Sequence, residues 1–125
     1  MHENELTKIV IGESIKVHSQ LGPGLLESVY PEYLAFKLIN GGLRIEKQKP
    51  IPVVVDGVKL ECGFRCDLLV EDKLIIEVKA IDALNDIHLA QVLTYLKLTG
   101  MKLGLLINFN VLRLKDGVRR VVNNL

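Results

Sequence analysis

A chain of 125 residues, 49% hydrophobic and 25% charged, is long and apolar enough to bury a core without disulfides or a structural metal. A formal net charge of +1 excludes a strong overall field for a polyanion, and three Tyr, three Phe and no Trp exclude a broad aromatic platform for stacking bases. The start MHENELTKIVIGES lacks the pattern of a signal peptide, and no apolar run approaches the roughly 18 residues of a membrane span, so one cytoplasmic domain over residues 1–125 is expected, without membrane contact.

Leu6, Val10, Val17 and Leu21 recur near helical spacing, with Ile9 and Ile15 beside them, which predicts a helix over 4–20. Leu-Gly-Pro-Gly at 21–24 breaks it, and a second helix is expected from Leu25 to Ile39, stopped by Gly41 and Gly42. Pro31 either occupies its first turns, where N–H groups lack partners anyway, or kinks it. From Arg44 to Lys79 the period falls to two, with β-branched runs and a hairpin signal at Asp56-Gly57. Residues 85–99 return to helix, with Asn85 as N-cap and Gly100 as stop, before the strand KLGLLINF and a last hairpin around Asp116-Gly117. The class is α/β: a mixed sheet flanked by helices, with an extra C-terminal β-hairpin.

Within DLLVEDKLIIEVKA, residues 67–80, the even positions Leu68, Val70, Leu74, Ile76 and Val78 are apolar, and Cys62, Phe64 and Cys66 extend them upstream. The odd positions Asp67, Lys73, Glu77 and Lys79 share the other face, where Leu69 and Ile75 are exceptions. A three-residue turn at Glu71-Asp72-Lys73 pairs 70 with 74 and sets Asp67 opposite Glu77. Like charges across a sheet are destabilising, and a hard divalent cation would offset them. The plain alternative is a solvated face with weak surface pairs. Cys62 and Cys66, four apart on a strand, lie about 13 Å from each other and cannot bridge without a sharp bend, so free buried thiols are expected.

Glu27 sits among Leu25, Leu26, Val29 and Tyr30, and His88, Gln91 and Tyr95 form a polar stripe on an otherwise apolar helix. Taken singly, Glu27 reads as a group at a helix start and His88 as hydrogen-bonded or on the surface.

The order Gly24-x-x-Glu27-x-x-Tyr30, Asp67, Glu77-Val78-Lys79, then Gln91-x-x-x-Tyr95 resembles the GxxExxY protein family, a branch of the PD-(D/E)xK nuclease superfamily, over nearly the whole chain. The resemblance implies a restriction-endonuclease-like αβββαβ core and a metal-dependent nuclease acting on nucleic acid, DNA ahead of RNA. It implies Asp67 and Glu77 as carboxylate ligands of Mg2+, for which Mn2+ substitutes, with the backbone carbonyl of Val78 as a further ligand. Glu27 resembles an additional acid, on the metal directly or through water. Lys79 resembles the catalytic lysine that orients the attacking water, and Gln91 and Tyr95 line the site, contacting substrate or supporting the lysine. Cys66 stands where the superfamily's name has proline, and Pro31 bears on where Glu27 is carried.

A reading from another class is a catalytically silent module that binds nucleic acid or protein on the same fold. It would use Lys47, Lys49, Arg113, Lys115, Arg119 and Arg120 against phosphates, although a solvated basic face is the simpler account. A homodimer holding two strands is compatible with so small and apolar a chain.

Overall fold

The computed structural model describes the backbone of residues 1–125 and all side chains except those of residues 61–64. Helix α1, Glu3–Leu21, starts where the His2 ring accepts the Asn4 N–H at 3.0 Å, and its acids Glu3 and Glu5 lie at the positive end of the helix dipole. Leu6, Val10 and Val17 make its buried stripe, and Gly22, at φ 72°, ends it in a conformation that other residues adopt only with strain.

Helix α2 covers Val29–Asn40, so it does not begin at Leu25 as the apolar spacing suggests. The buried Tyr30 accounts for the difference. Its hydroxyl donates to the Gly22 carbonyl at 2.7 Å and accepts the Leu25 N–H at 3.1 Å, which ties residues 22–25 into a turn. The Tyr30 ring stacks on Phe109 with centroids 4.6 Å apart. Pro31 falls in the first turn of α2, where an N–H would have no intrahelical partner, and α2 runs on through it.

Strands β1 (Ile45–Val55) and β2 (Val58–Val70) join through Asp56-Gly57, both left-handed at φ 52° and 75°, as the dipeptide predicts. Strand β3, Leu74–Lys79, returns through Glu71-Asp72-Lys73 and pairs Val70 with Leu74, the register read from the sequence. Helix α3, Asp86–Thr99, crosses to β4, Leu103–Asn108, which runs parallel to β3. Strand β5, Val118–Val122, pairs antiparallel with β4, giving a five-stranded sheet of order β1-β2-β3-β4-β5.

The C-terminal hairpin is thus β4 with β5, and Asp116-Gly117 belongs to a 3-10 turn, Leu114–Gly117, instead of joining two further strands. The connection is drawn inward: the His18 Nε2 donates to the Val111 carbonyl at 2.7 Å, and Gly117 lies against the Asn108 carbonyl so closely that a Cβ would come within 2.2 Å of it. Among the described residues, no helix is long and apolar enough to cross a membrane.

Both sheet faces are covered. Leu68, Val70, Leu74, Ile76 and Val78 pack with Leu6, Val10, Tyr30 and Leu34 from α1 and α2, so the even positions build this core. Leu69 and Ile75, the exceptions on the odd face, are buried with Val92 and Leu96 of α3. A wholly solvated odd face is therefore excluded. Cys66 departs from the parity expectation, packing in the α3 cluster with Ile51 and Val53. The side chains of Cys62 and Phe64 lie outside the described residues. Cys66 is a free, buried thiol.

Candidate metal and catalytic site

The β2–β3 ladder runs through Val70↔Leu74, Leu69↔Ile75 and Leu68↔Ile76, while β3 stays paired to β4 out to Lys79↔Asn108. Beyond Leu68, side chains replace main-chain pairing between β2 and β3. The Val78 N–H donates to Asp67 Oδ2 at 2.8 Å, and the Asp67 N–H leans toward Glu77 Oε1 at 3.4 Å. The sheet forks here, with both carboxylates in the fork. A strand residue's carbonyl points to the same side as its N–H, so that of Val78 faces the fork too.

Burial pushes the Glu77 carboxyl up to about 8, and the charge of Asp67 adds to the rise; the Asp67 N–H and Lys79 pull the other way. Asp67 is also raised by burial, against hydrogen bonds from the Val78 N–H and the Gln48 amide that favour its charged form. Glu27, in the turn before α2 and not on the helix, accepts the Ala80 N–H at 3.0 Å and adds its negative charge to both acids. Three acids, from positions 27, 67 and 77 of the sequence, thus act on one another beside Lys79.

The donor set is hard oxygen, which suits a small divalent cation. As placed, the His, Cys, Asp and Glu side chains among the described residues make no group of three able to hold a metal. Magnesium needs only one or two carboxylates, because it keeps several waters, and Asp67 and Glu77 meet that requirement. In front of Asp67, two adjoining hollows of about 260 and 380 Å³ share Ser28, Pro31, Gln48 and Asp67 in their walls.

A family model for the PD-(D/E)XK nuclease superfamily matches residues 4–121, from the first turn of α1 into β5. The chain belongs to the PD-(D/E)XK nuclease superfamily. Searches of curated proteins and of solved structures give no match.

In this PD-(D/E)XK chain, Gln91 and Tyr95 face each other one turn apart on α3, with the Gln91 amide donating to the Tyr95 hydroxyl at 2.9 Å. Gln91 is exposed and Tyr95 partly buried. His88 belongs to the helix cap: its ring Nδ1 accepts the Asn85 N–H at 3.1 Å, while the His88 main-chain N–H donates to Asn85 Oδ1 at 3.2 Å. Burial, reinforced by the charges of Glu77 and Asp67, pushes the Cys66 thiol up to about 12, which removes it as a nucleophile.

Two residues of the site's frame escaped the sequence reading. Asn108 is 1% exposed at the end of an all-apolar strand, and its side chain accepts the Ile81 N–H at 3.1 Å while donating to the Ile81 carbonyl at 2.9 Å. With the Phe109 N–H on the Lys79 carbonyl at 2.9 Å, it prolongs the parallel ladder and pins residues 79–81, which carry both Lys79 and the N–H bound by Glu27. A lone amide closing an apolar strand was the available signal. Gln48, on β1, donates from Nε2 to Asp67 Oδ1 at 3.3 Å, and nothing local marks it.

Proposed function

We propose that the chain is a divalent-metal-dependent nuclease of the GxxExxY type, a single nuclease-like domain over residues 1–125 that hydrolyses phosphodiester bonds of nucleic acid, DNA ahead of RNA. The observation that carries this is the partly buried pair Asp67 and Glu77 in the sheet fork, with Glu77 pushed up to about 8 and Lys79 beside it. Such a pair is costly without a cation and well matched to one.

Asp67, Glu77 and the Val78 carbonyl would hold Mg2+, or Mn2+ in its place, with Glu27 reaching it directly or through water. When bound, the ion makes water more acidic and stabilises charge developing on the phosphoryl oxygens. Lys79 orients the attacking water and offsets the negative charge that grows on the phosphate. Gln91 and Tyr95 contact substrate or support Lys79 from α3. Glu27, held by the Ala80 N–H, is carried on a turn whose shape depends on Tyr30.

The second reading, a silent module for nucleic acid or protein, draws on the lack of a three-ligand group among the described residues. Its proposed phosphate contacts are weakly supported, because Lys47 pairs with Glu32 at 3.0 Å, Lys49 with Glu46 at 2.7 Å and Arg113 with Asp116 at 3.6 Å. Lys47 and Lys49 also lie on β1, at the opposite edge of the sheet from Arg119 and Arg120 on β5.

Incubating the chain with single- and double-stranded DNA and RNA in Mg2+ or Mn2+, beside Lys79→Ala, tests the assignment. Metal-dependent cleavage abolished by the substitution is expected, and cleavage that survives it unchanged defeats the proposal. Calorimetric metal titration separates the two readings: binding lost in Asp67→Ala favours the nuclease, and no binding by the wild type favours the silent module.

A further inference from the structure

Gln48 has a backbone φ of 50° in the interior of β1. That is the left-handed region, which a non-glycine residue enters only with strain. Regular pairing flanks it, with Lys47 opposite Leu68 and Lys49 opposite Cys66, so the departure is confined to the position facing Asp67. Its side chain does not fill a core, since Gln48 is exposed. Its amide instead reaches Asp67 Oδ1 at 3.3 Å and lines both hollows in front of that carboxylate. Strain that places a solvent-accessible amide on an acid, and packs nothing, calls for a functional account.

The geometry points to Gln48 as a positioning residue that orients the Asp67 carboxylate for a divalent cation; this rests on the reading of Asp67 as a metal ligand. Asp67 Oδ2 takes the shorter bond, from the Val78 N–H at 2.8 Å, and Oδ1 the longer one, from Gln48 at 3.3 Å, so Oδ1 is the less engaged oxygen to offer a metal. Each oxygen accepts more than one hydrogen bond or ligand, so Oδ1 keeps a lone pair for the ion while Gln48 holds the plane of the carboxylate. A neutral amide suits the role. A lysine at position 48 would neutralise Asp67 and repel the cation, and an acid would add to a group of carboxylates already under mutual repulsion.

The test is calorimetric titration of Mn2+ into the full chain, for wild type, Gln48→Gly, Gln48→Asn and Asp67→Ala, together with thermal midpoints in chelator. Gly removes the amide and the φ strain at once. Asn tolerates left-handed backbone but is one methylene shorter and falls short of Oδ1. Both variants are expected to bind Mn2+ about 10- to 100-fold more weakly, the usual effect of losing an outer partner of a ligand. Their midpoints in chelator should be unchanged or raised, which a merely structural role would not produce. Wild-type affinity in either variant overturns the proposal, and if Asp67→Ala abolishes binding in the same experiment the metal-site reading survives that failure. A wild type that binds no Mn2+ overturns both.

Discussion

Glu77→Gln should make the metal-free protein more stable at neutral and alkaline pH while removing its response to metal. A carboxyl whose folded-state value exceeds its unfolded one holds its proton more tightly when folded. For Glu77 the unfolded value is 4.5 and the folded one about 8, so the stability it contributes is complete below pH 4.5 and drains away as pH rises to about 8. At about 1.4 kcal/mol per unit, that span sets a ceiling of about 5 kcal/mol. The neighbouring Asp67 titrates with it and some solvent reaches the pair, so a loss of about 2–3 kcal/mol is expected. Gln is neutral throughout and its carbonyl oxygen can still accept the Asp67 N–H that Glu77 Oε1 faces at 3.4 Å. Thermal unfolding in chelator from pH 5 to 8 should therefore give curves that nearly coincide at the acid end and diverge at pH 8. The variant should melt there about 10 °C higher, taking about 3–5 °C per kcal/mol for a chain of this size. Titrating groups away from the Asp67–Glu77 pair cancel in the difference. Added metal at a hundredfold excess over Kd should restore about 2.7 kcal/mol to the wild type and much less to the variant. Parallel curves, or a variant less stable at every pH, would refute the account of Glu77 as a partly buried carboxyl raised further by its neighbour.

Lys79→Ala should lower the cleavage rate by at least about 100-fold while leaving Mn2+ affinity within a few-fold, since the ammonium acts on developing charge and not on the ion; single-turnover kinetics with calorimetry check both. Tyr30→Phe removes the hydroxyl bound to Gly22 and Leu25, costing about 1–3 kcal/mol in urea unfolding, and should speed exchange of the Ala80 amide as the Glu27 turn loosens. Gly117→Ala should cost more than Gly104→Ala in the same assay, because the first Cβ meets the Asn108 main-chain oxygen at 2.2 Å and the second meets a Val92 methyl at 2.8 Å. The side-chain clash is expected near about 1–3 kcal/mol, and the backbone clash above it.

The sequence by itself determined what depends on neighbours along the chain. Steric period two sorted Leu68, Ile76 and Val78 from Glu77 and Lys79, Asp56-Gly57 specified its turn, and counting outward from a three-residue turn gave the register Val70↔Leu74 to Leu68↔Ile76, just beyond which Asp67 and Glu77 lie. The ordered motifs pointed to the superfamily that the comparison then showed. What the periodicity could not reveal rests on long-range packing. Glu27 leaves α2 because a tyrosine three residues on binds the preceding turn and stacks on Phe109, some eighty positions away. Cys66 changes face next to a left-handed Gln48 on another strand, and Asn108 serves Ile81 across a crossover helix. The fork itself is a tertiary product: β3 keeps its bonds to β4 while β2 gives up its own to side chains, so two acids that alternation could only place across from each other become a partly buried, mutually repelling pair. Alternation records which way a side chain points; burial and the company of charges from distant segments are decided only when the sheet and its helices close.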